Sequence, residues 1–132
     1  MLIRIPLGTV LWEETAFRGV LLAALLRVLP PRTAVGISAA VFGLWHIRPT
    51  LDATAANDLA AGLPGRTAAV LSGCVLTAAA GVLFTGLRMR SGSLLAPVLV
   101  HAAANCLGLL AAAAAHRLQP IGVTPRAQRT AR

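Results

Sequence analysis

Charged residues are scarce in this chain of 132 residues, because they make up only 12% of it, whereas hydrophobic residues make up 57%. Soluble domains contain about 25% charged residues on average. The chain therefore has too little polar surface to cover a soluble globule. Its mean hydropathy of +0.76 favours a membrane protein instead.

Lysine and tyrosine are absent, and there are only three phenylalanines and two tryptophans. All 12 basic residues are arginines, and with four acidic residues they give a net charge of +8. Most of these arginines flank apolar stretches: Arg27, Arg32, Arg48, Arg66, Arg88, Arg90, Arg117, Arg126, Arg129 and Arg132. Such charges are typical of membrane-flanking loops that contact anionic headgroups. Because aromatic stacking platforms are also few, we predict that nucleic acid is not a partner.

Cysteine is limited to Cys74 and Cys106, which lie far apart in apolar runs. Neither has the short spacing of a zinc-binding or redox pair. We therefore interpret both as small buried hydrophobic residues.

Four apolar segments predict an all-α, multi-spanning transmembrane helical bundle. They cover residues 5–28, 33–46, 67–87 and 94–116, and a proline pair closes the first. Three of them reach the roughly 20 residues that a helix needs to cross a bilayer, whereas the second is short. Residues 49–65 are predicted to form a loop with room for a short surface helix.

Residues 1–116 are predicted to form one membrane domain, and residues 117–132 a basic disordered tail. Four helices can hardly enclose several polar groups away from lipid. We therefore expect the domain to be N-terminally incomplete, as a fragment of a larger bundle.

The first segment carries Glu13, Glu14 and Arg18. An ionisable side chain in lipid costs about 2.5–3.5 kcal/mol on insertion scales, so such residues point to function. Glu14 and Arg18 are four residues apart and can pair on one helical face. Glu13 is rotated by about 100° from Glu14, which leaves its carboxylate free for chemistry. The alternative is that both glutamates mark a helix start near the interface.

Two further segments carry histidines. His101 and Asn105 lie one helical turn apart and can donate two hydrogen bonds to a single oxyanion. His46 follows Phe42 by four residues, so the phenyl ring can pack beneath the imidazole. The alternatives are a packed, hydrogen-bonding histidine at 101 and an interfacial Trp–His pair at 45–46.

Three motifs gather these residues: E-E-T-A-F-R at 13–18, F-G-L-W-H at 42–46 and H-A-A-A-N at 101–105. Together, over residues 6–110, they resemble the E-E-x-x-x-R, F-x-x-x-H and H-x-x-x-N pattern of the CAAX protease and bacteriocin-processing (CPBP, or ABI) family of intramembrane proteases. The resemblance implies an all-helical membrane fold, a multi-pass cell-membrane location and an endopeptidase that acts on peptides or membrane proteins within the lipid bilayer.

For such an enzyme we predict that Glu13 acts as general base on a water that His46 also holds. His101 and Asn105 would stabilise the oxyanion, and Glu14, Arg18 and Phe42 would support the site. A zinc ion held by Glu13, His46 and His101 is an alternative. We favour a site without tightly bound metal, because the sequence offers no acidic partner for the histidines.

Two other functions remain open at this stage. The chain could be a non-catalytic family member that acts in bacteriocin immunity or binds peptides. It could also be a fragment of a proton-coupled transporter that uses Glu13 and the histidines as a relay.

Overall fold

The computed structural model describes residues 5–56 and 62–118, and these residues form helices joined by short turns, with no strand among them. The all-α prediction is therefore confirmed. We number the helices α1 (5–26), α2 (Pro31–Trp45), α3 (Ile47–Ala56), α4 (Gly62–Ser91) and α5 (Leu95–Leu118).

Helix α1 alternates between two helical geometries. Its segments Leu11–Glu14 and Leu22–Leu26 are α-helical, whereas Ile5–Val10 and Thr15–Leu21 form wider π-helical turns. The backbone stays in the right-handed helical region at the boundaries, so the helix is continuous. Turns of the π type are rare and occur frequently at functional sites. In α1 one π-helical segment ends three residues before Glu13, and the other begins directly after Glu14.

The predicted segments correspond to the observed helices. Helix α2 begins at Pro31, a residue that suits the first helical position. After a bend at His46 the helix resumes as α3, and α4 begins at Gly62, so the predicted loop at 49–65 is helical at both ends. Positions 57–61 of that loop lie outside the described residues, as does the predicted tail beyond Leu118.

Close backbone contact joins α2 to α4. A Cβ atom on Gly43 would lie 2.6 Å from the carbonyl oxygen of Cys74, and one on Gly81 would lie 3.1 Å from the Cα of Ala39. Because the later residue of α2 meets the earlier residue of α4, the two helices are antiparallel. Small residues at such positions allow membrane helices to approach closely.

Helices α4 and α5 are connected by a tight turn at 92–94, where Gly92 has a φ of 67°. Among the described residues, these two helices are long and apolar enough to cross a membrane, over Gly62–Ser91 and Leu95–Ala115. Most of their surface is exposed within the chain. The apolar surface that they present suits lipid or further helices better than water.

Candidate active site

Helix α1 turns three ionisable side chains into the bundle. Glu13, Glu14 and Arg18 expose only 5%, 0% and 2% of their surface. The predicted pairing of Glu14 with Arg18 is observed, because Arg18 Nη1 donates to Glu14 Oε1 over 3.1 Å. Burial at this level requires partners for each charge.

Glu14 also binds a histidine from the other end of the chain. His101 Nδ1 lies 2.8 Å from Glu14 Oε1, and a carboxylate oxygen accepts, so this nitrogen carries the proton. The expectation that no acidic residue would support the histidines is therefore wrong. That expectation rested on the acidic residues of the predicted loop and on a Glu14 bound to Arg18 alone, whereas Glu14 binds both Arg18 and His101.

Glu13 occupies the adjacent position with both oxygens close to nitrogen atoms. Its Oε1 accepts a hydrogen bond from Trp45 Nε1 over 3.3 Å. Its Oε2 lies 3.8 Å from His101 Nε2, which exceeds hydrogen-bonding distance. The imidazole of His101 thus contacts one glutamate with each ring nitrogen. The two carboxylates differ in their hydrogen-bond partners, because Arg18 donates to Glu14, whereas Trp45 donates to Glu13.

All three phenylalanines of the chain surround the guanidinium of Arg18. The Arg18 Cζ atom lies 4.0 Å from the ring centroid of Phe42, 5.2 Å from that of Phe84 and 5.9 Å from that of Phe17. Such contacts attract a cation to the ring faces and exclude water from it. The aromatic residues, scarce elsewhere, therefore converge on the buried cation.

Phe42 also connects the two histidines. Its ring centroid lies 4.6 Å from that of His46 and 6.0 Å from that of His101, with edge-to-face geometry in both pairs. The predicted packing of Phe42 against His46 is observed. His46 is half-buried, and its Nδ1 donates to the Phe42 carbonyl over 2.8 Å, which leaves Nε2 free to accept.

Asn105 lies one turn beyond His101 on α5 and is half-buried. Within residues 5–56 and 62–118, its side chain makes no hydrogen bond to Glu13, His46 or His101. The structure therefore joins Glu13, Glu14, Arg18 and His101 directly and links His46 to them through Phe42. Asn105 is joined to this group only by its place on α5.

Comparison with protein families covers most of the chain. A family model described as type II CAAX prenyl endopeptidase Rce1-like matches residues 1–107, which includes the three motifs and most of the helices. The chain belongs to this family. Neither curated proteins nor solved structures gave a significant match. Membership of the Rce1-like family, with two apolar helices, indicates a membrane-embedded protein of a CAAX-type endopeptidase family.

Two aromatic residues of this Rce1-like site were not predicted. Trp45 donates to Glu13, and Phe84 stacks on His101 with the ring centroids 4.8 Å apart. Trp45 was interpreted only as a possible interfacial residue. The sequence could have indicated Phe84, since aromatic residues are few in this chain and Phe84 is the only one in the apolar segment 67–87.

The structure does not bring Glu13, His46 and His101 together as three ligands of one zinc ion. Among the described residues, no three His, Cys, Asp or Glu side chains come together as a ligand group. One ring nitrogen of each histidine is held, by the Phe42 carbonyl and by Glu14, which is usual for metal-binding histidines and leaves both Nε2 atoms available. These contacts do not decide between a metal and a water, so we assign no step to a metal, and the metal content of the protein stays a prediction.

Proposed function

We propose that this protein is an intramembrane endopeptidase that hydrolyses a peptide bond with a water activated by Glu13. The observation that carries this proposal is the buried carboxylate of Glu13, which is 5% exposed. Its Oε2 lies 3.8 Å from Nε2 of His101. Two atoms at that separation can both contact one water placed about 2.8 Å from each. The substrates would be CAAX-type peptides or membrane proteins.

The contacts of Glu13 support a role as general base. Trp45 Nε1 fixes one carboxylate oxygen, so the other keeps a defined direction. Arg18 donates its hydrogen bond to Glu14 and not to Glu13, so Oε2 of Glu13 is not bound to a guanidinium and can accept a proton. A base must lie within hydrogen-bond reach of the proton that it removes, and a water beside Oε2 satisfies this condition.

His46 would hold the same water. Its Nδ1–H is bound to the Phe42 carbonyl, so its lone pair is on Nε2 and can accept a hydrogen bond from water. Packing against Phe42 restricts the ring. The water would then donate one proton to Glu13 and one hydrogen bond to His46 as its oxygen attacks the peptide carbonyl.

His101 and Asn105 would stabilise the oxyanion that results. Because Nδ1–H of His101 is bound to Glu14, donation from Nε2 requires a doubly protonated ring. ¹⁵N NMR of the His101 ring in a complex with a transition-state mimic would report two protonated nitrogens, whereas one bare nitrogen would contradict this role.

In the proposed reaction, Glu13 carries one proton from the attacking water to the leaving amide nitrogen. Glu13 takes a proton as the water oxygen bonds to the carbonyl carbon, and the carbonyl oxygen becomes the oxyanion. Glu13 then gives that proton to the amide nitrogen as the C–N bond breaks. The immediate products are a carboxylic acid and an amine, and transfer of the acid proton to the amine gives a carboxylate and an ammonium ion. The glutamate returns to its ionised form.

The test compares two carboxylate-to-amide substitutions. Glu13→Gln should lower turnover of a fluorogenic CAAX-type peptide by about 100-fold or more, which is the usual range for loss of a general base. Asp52→Asn is the matched control, because Asp52 is exposed and pairs with Arg48 on the surface. Asp52→Asn should leave turnover unchanged.

This test also addresses the alternative functions. Wild-type protein that binds the peptide without cleaving it would favour a non-catalytic, peptide-binding member of the family. Equal turnover in wild type and Glu13→Gln would exclude Glu13 as the base.

A further inference from the structure

A cavity lies between the C-terminal parts of α1 and α4, and Arg18 is among its lining residues. Its volume is about 240 Å³. Apolar walls are formed by Leu22, Ala23, Leu26 and Met89, and the polar lining comes from Arg18 and Arg88. Arg88 lies in the last turn of α4.

The two arginines have unused hydrogen-bond donors. Arg18 is 2% exposed, and it uses Nη1 for Glu14, whereas its Nε and Nη2 have no partner among the described residues. The Nε of the half-buried Arg88 is also without a partner there. Buried donors are almost always satisfied, and guanidinium groups bind phosphate and carboxylate oxygens with two parallel hydrogen bonds. These three nitrogens have almost no surface in the cavity, but the positive charges of Arg18 and of the half-buried Arg88 lie along its lining and suit a ligand with anionic oxygens.

The charge balance permits an anion in this cavity. Glu14 neutralises one of the two cations, and Glu13 lies on the same helix as Arg18 but faces Trp45 and His101. The C-terminal ends of α1 and α4 add partial negative charge, equivalent to about half a unit each. Arg27 and Arg90, next to these helix ends, offset that contribution.

The position of the cavity favours a lipid ligand. The cavity is lined by Leu26 and Met89 and so lies at the C-terminal ends of α1 and α4. Arg27, Arg32 and Arg90 are close to these ends in the sequence. Arginines at the end of an apolar helix lie at the depth of the headgroups. Four apolar side chains beside two cations match a phosphodiester whose glycerol and acyl chains continue along the helices.

We propose that this cavity binds the phosphate of an anionic phospholipid headgroup at the membrane surface. Arg18 then connects this site to the candidate active site, since the same guanidinium holds Glu14, and Glu14 holds His101. The lipid site is separate from peptide hydrolysis and is tested by binding alone.

The experiment titrates the 132-residue chain in mild detergent with short-chain phosphatidylglycerol and follows the shift of the thermal unfolding midpoint. Phosphatidylcholine, inorganic phosphate and an acetylated tripeptide with a free C-terminal carboxylate are titrated separately. Phosphatidylglycerol should stabilise the protein saturably and at lower concentration than the other three. Arg88→Gln should weaken its apparent affinity about tenfold, as expected for loss of a charged hydrogen bond.

Two further variants distinguish the cavity from general surface charge. Arg90→Gln removes the same charge two residues away, from an exposed side chain that does not line the cavity, and should change affinity by less than twofold. Ala23→Leu narrows the cavity with all charges retained and should weaken binding as Arg88→Gln does. Ala23→Leu also keeps the test valid if Arg88→Gln does not fold.

Several outcomes would overturn the proposal. Equal losses in Arg88→Gln and Arg90→Gln would show non-specific attraction, and the absence of saturable binding would show that the cavity has no lipid ligand. Inorganic phosphate that binds as well as phosphatidylglycerol would assign the cavity to a free anion. Arg88-dependent binding of the tripeptide, without Arg88-dependent binding of lipid, would assign it to a peptide carboxylate.

Discussion

Replacement of Glu14 by glutamine should cost far more stability than the same replacement at Glu13. Glu14 is fully buried, and it is the anion that neutralises Arg18. Removal of one partner of a buried ion pair leaves the other charge uncompensated and costs about 3–5 kcal/mol. At Glu13 the amide oxygen can still accept from Trp45, so we expect a loss of about 1 kcal/mol or less.

The measurement is unfolding by titration with SDS in mixed micelles, followed by tryptophan fluorescence. Trp45 is a suitable probe, because it contacts both Glu13 and the ring of Phe17. The control is the double variant Glu14→Gln/Arg18→Met, which removes both charges and leaves an apolar side chain among three phenylalanine rings. Because hydrophobic replacement of a buried pair is often neutral, the double variant should be more stable than Glu14→Gln alone.

Two results would refute this reasoning. Equal destabilisation by Glu13→Gln and Glu14→Gln would show that the two carboxylates have the same structural role. A double variant less stable than Glu14→Gln by the full cost of a second independent substitution would show that Glu14 and Arg18 are not coupled.

Three further predictions concern packing, catalysis and metal. Gly43→Ala should destabilise the protein by about 1–3 kcal/mol, because its Cβ would meet the Cys74 carbonyl at 2.6 Å, whereas Gly36→Ala has open space and should be neutral or stabilising in the same SDS titration. Asn105→Ala should lower kcat about 100-fold or more with little change in KM if the amide binds the oxyanion, and a change confined to KM would contradict that role. Elemental analysis of active protein should find less than one equivalent of zinc, and loss of activity on chelation that zinc restores would reverse our preference.

The helices could be predicted from the sequence because their signals are local. Apolar runs bounded by prolines, glycine and arginine gave four segments, and the observed helices follow them within a few residues in most places. The pairing of Glu14 with Arg18 and the packing of Phe42 on His46 were also predictable, since each joins residues four apart on one helix. Helical geometry alone determines such contacts.

Contacts between helices were not predictable in the same way. Glu14 and His101 are 87 residues apart, and only the docking of α5 on α1 brings them together. Trp45 and Glu13 are 32 residues apart, and the packing of α2 against α1 brings them together. A single sequence contains the residue types for these contacts but not the rotation of each helix about its axis.

The polar contacts of the site also determine how α5 docks. This helix is largely exposed within the chain, and its buried residues are Pro97 and His101. His101 reaches both glutamates and stacks on Phe84, so a large part of the docking depends on a single imidazole. Apolar burial gives little preference for one rotation of a helix in lipid, whereas a buried carboxylate requires its partner. The charges that would hydrolyse a peptide are thus the same charges that orient α5, which explains why so apolar a chain retains them.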